Sequence, residues 1–211
     1  MSQTSLFGDH STSSDSFEAF SLPQAELRYY AHYFSQIEAD KLFATLHHEI
    51  DWQQHRIRIA GIERLQPRLS AWYGDPDAHY SYSHLQLQPS PWTQTLLELK
   101  QRLEASCNTS FNSVLLNLYR DQQDSMGWHA DDEKELGSRP VIASLSFGAS
   151  RDFLIKHKVD PQLKRKVALE HGSLLVMGGD MQSHWLHAIA KQKEQLGPRL
   201  NLTFRQIHPA I

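Results

Sequence analysis

From residue 113 onward the chain alternates between apolar and polar positions in short runs. These lie at 114–119, 141–147, 152–156, 165–169, 173–177, 185–190 and 200–205, separated by Gly, Pro and Asp clusters. Period-two alternation bounded by turn signals predicts strands that bury one face. The clearest is Arg199-Leu-Asn-Leu-Thr-Phe-Arg205, in which Arg199, Asn201, Thr203 and Arg205 share one face and Leu200, Leu202 and Phe204 the other. Before residue 110 the spacing is helical. Ser35 with Glu38 three residues on is a capping box. It predicts a helix to about Ile50, with Ile37, Leu42, Phe43, Leu46 and Ile50 on the apolar side. A second helix is predicted from Pro91, a residue suited to the first helical position, to about Cys107, with Leu96, Leu97, Leu99 and Leu103 inward. Helices first and short strands later give an α+β chain with a β-sandwich or jelly-roll core. Residues 1–20 are Ser/Thr-rich with no periodic apolar face, which predicts a disordered tail. Residues 21–211 are then one domain, helical over 21–110 and strand-built over 111–211.

Composition narrows the classes. A chain of 211 residues, 40% hydrophobic, fits one domain with a full core. It has no apolar run of membrane-spanning length and no secretion signal at its start. Cys107 is the single cysteine, which excludes an internal disulfide and fits a reducing cytoplasm. The net charge of −3 argues against indiscriminate nucleic-acid binding, but not against a local basic patch. Positions 139, 151, 156, 158, 164, 165 and 166 are Lys or Arg, against Asp152 and Asp160 in the same stretch. Such a patch suits phosphates; it also suits a solvated hairpin edge guarded by lysines.

The chemistry begins where the strand at 114–119 runs into a polar loop. That loop delivers His129 and Asp131, spaced so that an extended segment points both the same way. With one more imidazole, from His184 or His187, they make a two-His-one-carboxylate facial triad, which suits Fe(II) and leaves positions open. Arg199 and Arg205 on one strand face suit a ligand with a carboxylate at each end, since guanidinium pairs carboxylate as a fork. Between Pro67 and Tyr82 lie Trp72, Tyr73, Tyr80 and Tyr82 among small polar residues. The first two read as packing residues, whereas Tyr80 and Tyr82, sharing a face, suit stacking on a nucleobase.

His-x-Asp, a later His, then Arg-x-Asn-x-Thr-x-Arg, in that order, resembles the AlkB family of Fe(II)- and 2-oxoglutarate-dependent dioxygenases, over about residues 55–207. Asn117-Leu-Tyr119, Ser146-Phe-Gly-Ala-Ser-Arg-Asp-Phe153, His171-Gly-Ser-Leu-Leu175 and Pro198-Arg-Leu-Asn-Leu-Thr-Phe-Arg205 resemble the members that repair methylated DNA bases. The resemblance implies a double-stranded β-helix with N-terminal helices packed on one sheet, and a nucleotide-recognition part before residue 110. It implies Fe(II) on His129, Asp131 and His187, because the family's last ligand follows an aromatic-x pair and precedes a small residue. It places 2-oxoglutarate on Arg199, with Tyr119, Thr203 and Asn201 assisting at the distal carboxylate, and Arg205 and Asn117 near the other. O₂ is the second cosubstrate. The implied activity is oxidative demethylation of N1-methyladenine and N3-methylcytosine in DNA; the alternative is a hydroxylase or demethylase acting on RNA, protein or a small molecule.

These methylated bases are cations at neutral pH, and Tyr80, Tyr82 and Trp185 suit cation–π contact while Asp132 and Glu133 place negative charge beside the metal carboxylate. One departure concerns duplex DNA. Duplex-acting relatives carry an aromatic wedge where this chain has Ala60, with Ile59 and Ile62 as substitutes, so single-stranded substrate gains weight. In the tail, Gln3, Leu6 and Phe7 resemble the peptide by which bacterial repair proteins dock on the sliding clamp. The expected protein is thus a cytoplasmic monomer with alkylated DNA or RNA, and a clamp, as partners.

Overall fold

The computed structural model describes residues 16–59, 61–78, 80–82 and 85–208, with backbone only at 58, 59, 80–82 and 85–87. In chain order the elements are β1 (Glu18–Leu22), β2 (Ala25–Tyr30), α1 (Gln36–Glu49), β3 (Arg56–Ile59), β4 (Ile62–Leu65), β5 (Leu69–Gly74), β6 (Tyr80–Tyr82), β7 (Leu85–Leu87), α2 (Gln94–Cys107) and β8 (Ser113–Tyr119). There follow β9 (Met126–His129), β10 (Ile142–Gly148), β11 (Arg151–His157), β12 (Lys164–Leu169), β13 (Ser173–Gly178), the single turn α3 (Met181–His184), β14 (Trp185–Ile189) and β15 (Arg199–Arg205). A major sheet has the order β1-β2-β13-β10-β15-β8-β5, and a minor sheet β12-β11-β14-β9. All the pairings within them are antiparallel. Two small hairpins, β3–β4 and β6–β7, stand apart from both sheets.

Alternation sends each strand of the major sheet into two cores. Val114, Leu116 and Leu118 of β8, Leu145 and Phe147 of β10, and Leu200, Leu202 and Phe204 of β15 pack against Leu42 and Leu46 of α1 and Leu96, Leu99 and Leu103 of α2. The opposite face meets the minor sheet through Tyr119, Ile142, Leu175 and Met177, which pack on Phe153, Ile155, Val167, Trp185 and Ile189. Apolar burial of this kind stabilises by roughly 25 cal/mol per Å² removed from water. The result is the expected jelly-roll core, with helices covering one sheet.

Both helices start at a side-chain cap. Ser35 Oγ accepts the Glu38 N–H (3.3 Å) and Glu38 returns a carboxylate oxygen to the Ser35 N–H (3.1 Å). The second helix begins later than expected: Thr93, not the Pro91 region, caps it by accepting the Leu96 N–H at 3.2 Å. Two inward residues are corrected. Ile37 is 81% exposed, because it lies about 200° around the helix from Ala39, which is fully buried in the Ala39–Leu42–Leu46 stripe. Leu97 is only half-buried.

The expected disordered tail is also corrected at its end. Residues 18–20 belong to β1, which pairs with β2 from Glu18↔Tyr29 to Leu22↔Ala25. Leu22 joins the inter-sheet core, Phe20 packs against it, and Phe17 lies 5.3 Å from Tyr30. Two apolar side chains and one edge of hydrogen bonds suffice to order a strand that its composition did not announce. Residues 1–15, with Gln3, Leu6 and Phe7, lie outside the described residues, as does Ala60.

Candidate active site

The inner face of the two sheets opens into a cavity lined by Asn117 and Tyr119 of β8, His129, Asp131, His187 of β14, and Arg199, Asn201, Thr203 and Arg205 of β15. Strand pairing builds the centre of it. His129 and His187 are register partners across β9 and β14, with ring centroids 4.2 Å apart. Asp131 follows β9 directly; its N–H donates to the buried Gln182 Oε1 at 2.9 Å, and its carboxylate turns inward. Ligand atoms of His129, Asp131 and His187 all lie within 4.8 Å of one another. His129 Nδ1 lies 2.8 Å from the Gly127 carbonyl. A proton there leaves Nε2 free as a lone-pair donor. His187 packs flat on Phe153, with centroids 5.1 Å apart and planes 29° apart.

Charge is set by burial and by Arg205. Burial alone would raise the Asp131 pKa, but Arg205, then His187 and His129, outweigh it and hold the carboxyl below its usual range. Arg205 Nη2 donates to Asp131 Oδ1 at 2.6 Å. Burial pushes His187 down to about 4 against the pull of Asp131, so its imidazole is neutral near pH 7. Deeper in the cavity Arg199 is 1% exposed. Its Nη2 donates to Ser146 Oγ at 2.9 Å, while Nε and Nη1 have no partner among the described residues. Burial lowers its pKa to about 10, with Tyr119 opposing and Arg151 adding. The Tyr119 ring lies 5.2 Å from the Arg199 guanidinium and 5.6 Å from that of Arg151. A buried cation with two idle donors is costly unless an anion meets it, and a carboxylate is the matching shape.

The match to known proteins is broad. Residues 26–205 fit the family model described as the 2OG-Fe(II) oxygenase superfamily. The bovine alpha-ketoglutarate-dependent dioxygenase alkB homolog 3 is 43% identical over 181 residues, which are 82% of this chain and 63% of that protein. Human DNA oxidative demethylase ALKBH2 is 40% identical over 185 residues, 82% of this chain and 70% of that one. This chain belongs to the AlkB family of 2-oxoglutarate oxygenases. It spans a little under two thirds of the length of the first of these relatives. The solved structure of OsALKBH1 has the same fold at 18% identity, with a TM-score of 0.63 over 90% of this chain and 100% of that one.

Within this AlkB-family chain, the remaining residues named from sequence divide. Asn201 is committed to the sheet: its Nδ2 donates to Ser144 Oγ (2.8 Å) and Leu145 O (3.1 Å), and its Oδ1 accepts the Thr203 hydroxyl (3.2 Å). Trp185 is corrected. It is fully buried between the sheets with its N–H on the Pro23 carbonyl at 3.0 Å, so it offers no surface to a base. It shares the inner face of β14 with His187, but where the sheets are closed. Asp132 is 57% exposed and already paired with Lys158 at 3.0 Å, whereas Glu133 Oε2 is buried without a partner among the described residues. His184 stays outside the cluster, stacked on His157 at 6.0 Å. Tyr80 and Tyr82 contribute backbone to β6, and their side chains lie outside the described residues. Arg151, counted with the basic stretch, is 1% exposed and is removed from it.

Three residues support the site in roles that no sequence pattern announced. Arg68 Nε donates to Asn117 Oδ1 at 2.7 Å and fixes that amide in the cavity wall. Arg151 ties the loop after β8 to the end of β14, through Asp124 O (2.9 Å) and Ala190 O (2.7 Å). Gln182 holds the Asp131 N–H. All three act on partners far away in sequence.

Proposed function

We propose that the protein is an Fe(II)/2-oxoglutarate-dependent dioxygenase that removes methyl groups from N1-methyladenine and N3-methylcytosine in DNA. One observation carries the oxygenase part: a single cavity joins the His129–Asp131–His187 cluster to a buried Arg199 with two unpartnered donors. The donor set fits the groups. Two imidazoles and a carboxylate suit Fe(II), and the idle Nε and Nη1 of Arg199 suit one carboxylate of 2-oxoglutarate. The nucleobase part rests on likeness to relatives named as DNA oxidative demethylases.

When bound, Fe(II) with 2-oxoglutarate and O₂ supplies the oxidation that turns an N-methyl into a hydroxymethyl group, lost as formaldehyde. The chain supplies position. His129, Asp131 and His187 hold the metal, and Arg205 keeps Asp131 ionised and aimed. Arg199 anchors the distal carboxylate, Tyr119 beside it and Thr203 along the same strand face; Asn201 orients Thr203. Arg205 and Asn117, the latter fixed by Arg68, face the other carboxylate. Of the two acidic residues after Asp131, Glu133 has the unpartnered carboxylate oxygen to offer a cationic base, since Asp132 is shared with Lys158. Docking of Gln3, Leu6 and Phe7 on a bacterial sliding clamp, a cytoplasmic location and a monomeric state belong to this proposal and rest on sequence.

The test is succinate formation by the full chain with Fe(II) and 2-oxoglutarate. A single-stranded oligonucleotide containing N1-methyladenine raises it severalfold over the unmethylated strand, with formaldehyde released in step. Equal succinate with both strands, and no formaldehyde, overturns the nucleobase reading.

A further inference from the structure

Trp128 stands out among the five tryptophans. The other four use their indole N–H inside the chain. Trp52 donates to His47 O (3.2 Å), Trp72 to Ser113 Oγ (2.8 Å), Trp92 to Asp75 Oδ1 (2.6 Å) and Trp185 to Pro23 O (3.0 Å). Trp128 is 44% exposed, and its N–H has no hydrogen-bond partner among the described residues. Its place makes this more than a stray surface ring. It directly precedes His129, whose imidazole lines the cavity, on β9 at the edge of the minor sheet. The indole packs against Lys156, whose strand neighbour Ile155 is buried between the sheets, so it lies on the outer face of that edge, one residue from the proposed metal ligand His129.

The same outer face is cationic. Lys156 Nζ sits 4.3 Å above the Trp128 ring. Lys156 is the register partner of Lys164 on β12 and of Leu186 on β14. Lys164 is exposed. Lys166 is spoken for by Asp152 at 3.2 Å and Lys158 by Asp132 at 3.0 Å. Lys156 and Lys164 have no carboxylate partner among the described residues. A half-exposed indole with two ammonium groups that have no carboxylate partner among the described residues, at the rim of a cavity that takes one base, matches the alternating base and phosphate of a single strand.

We propose that Trp128, Lys156 and Lys164 form a docking platform for single-stranded DNA flanking the base in the cavity. The inference rests on the nucleobase reading above. A base neighbouring the target stacks on the indole, and the next phosphates pass to Lys156 and Lys164. Stacking of this kind does not read sequence, because every base has an aromatic face.

The experiment is a titration of the full chain with a labelled twelve-residue oligothymidylate, followed by anisotropy and by tryptophan fluorescence over a range of salt concentrations. Trp128→Ala weakens binding by about tenfold and removes most of the fluorescence quenching, while Trp128→Phe recovers most of the affinity. Lys156→Gln with Lys164→Gln flattens the slope of log affinity against log salt by about 1.4, from two phosphate contacts at about 0.7 each. Thermal unfolding of each variant, unchanged from the parent, keeps the reading local. Wild-type affinity and salt slope in all variants overturn the platform and leave the nucleobase reading standing. No binding by the unaltered chain to this strand or to a methylated one overturns both.

Discussion

The two faces of the major sheet share a backbone and differ in everything else. On β15, Leu200, Leu202 and Phe204 are fully buried against the helices, while Arg199, Asn201, Thr203 and Arg205 line the cavity. The helix side is all apolar contact and contributes stability. The cavity side holds a guanidinium with two idle donors, and facing it across the cavity β14 adds an imidazole whose pKa burial drives to about 4. No folding argument asks for those groups there. A polypeptide keeps such costly burial where a ligand completes it. One face therefore answers to packing and the other to chemistry, and mutations should separate them.

The largest separation is expected at the metal cluster. His187→Ala abolishes Fe(II)-dependent turnover, while His184→Ala, outside the cluster, keeps most of it; a steady-state assay of both variants checks this. On the helix side, Phe204→Ala costs about 3–5 kcal/mol of stability by denaturant unfolding. Arg199→Lys raises the 2-oxoglutarate concentration for half-saturation by roughly tenfold or more, with little change in unfolding midpoint.

A smaller effect tests the electrostatics away from both faces. Burial raises the Asp124 pKa, but hydrogen bonds from Arg120 outweigh it, and the folded pKa is depressed. Arg120 Nε and Nη2 reach the carboxylate at 2.8 and 2.9 Å. A depressed carboxylate stabilises above its unfolded pKa of about 3.9, and that stabilisation fades as pH falls through the folded value. Asp124→Asn is therefore less stable than the parent at pH 7, and the gap closes in acid. A gap that does not close contradicts the assignment. Smallest of all, Ile37→Lys changes stability by no more than about 0.5 kcal/mol, since that side chain already faces water.

The same contrast explains what the sequence could reveal. Where a strand of five or more residues packs at least one face into a core, its pattern shows, so seven of the eight strands from 113 onward are legible and end within a residue or two of the expected bounds. The shortest strands are not. β3 and β4 are four residues each, and β9 hides its four residues in a polar loop; β4 is exposed throughout and β9 only partly buried, so no apolar period marks them. The ligand cluster is legible because His129 and Asp131 are two residues apart. Arg68, Gln182 and Arg151 are not, because their partners stand 49, 51 and 27 residues away. They bind an amide side chain, a backbone N–H and backbone carbonyls, which leave no residue-type signature. Trp185 misled because the period that puts His187 inward puts Trp185 inward too, and depth along the strand decides between cavity and core.

On the proposed function, the polar face of this sheet is built around a dicarboxylate held by Arg199. The most direct measurement is calorimetric titration of 2-oxoglutarate into the full chain loaded with Mn(II), in parallel with Arg199→Met and its thermal unfolding. Arg199→Met is expected to lose 2-oxoglutarate binding while its melting temperature is unchanged or higher, since a buried unpaired cation has been replaced by an apolar side chain of similar length. Retained binding in that variant would contradict that reading.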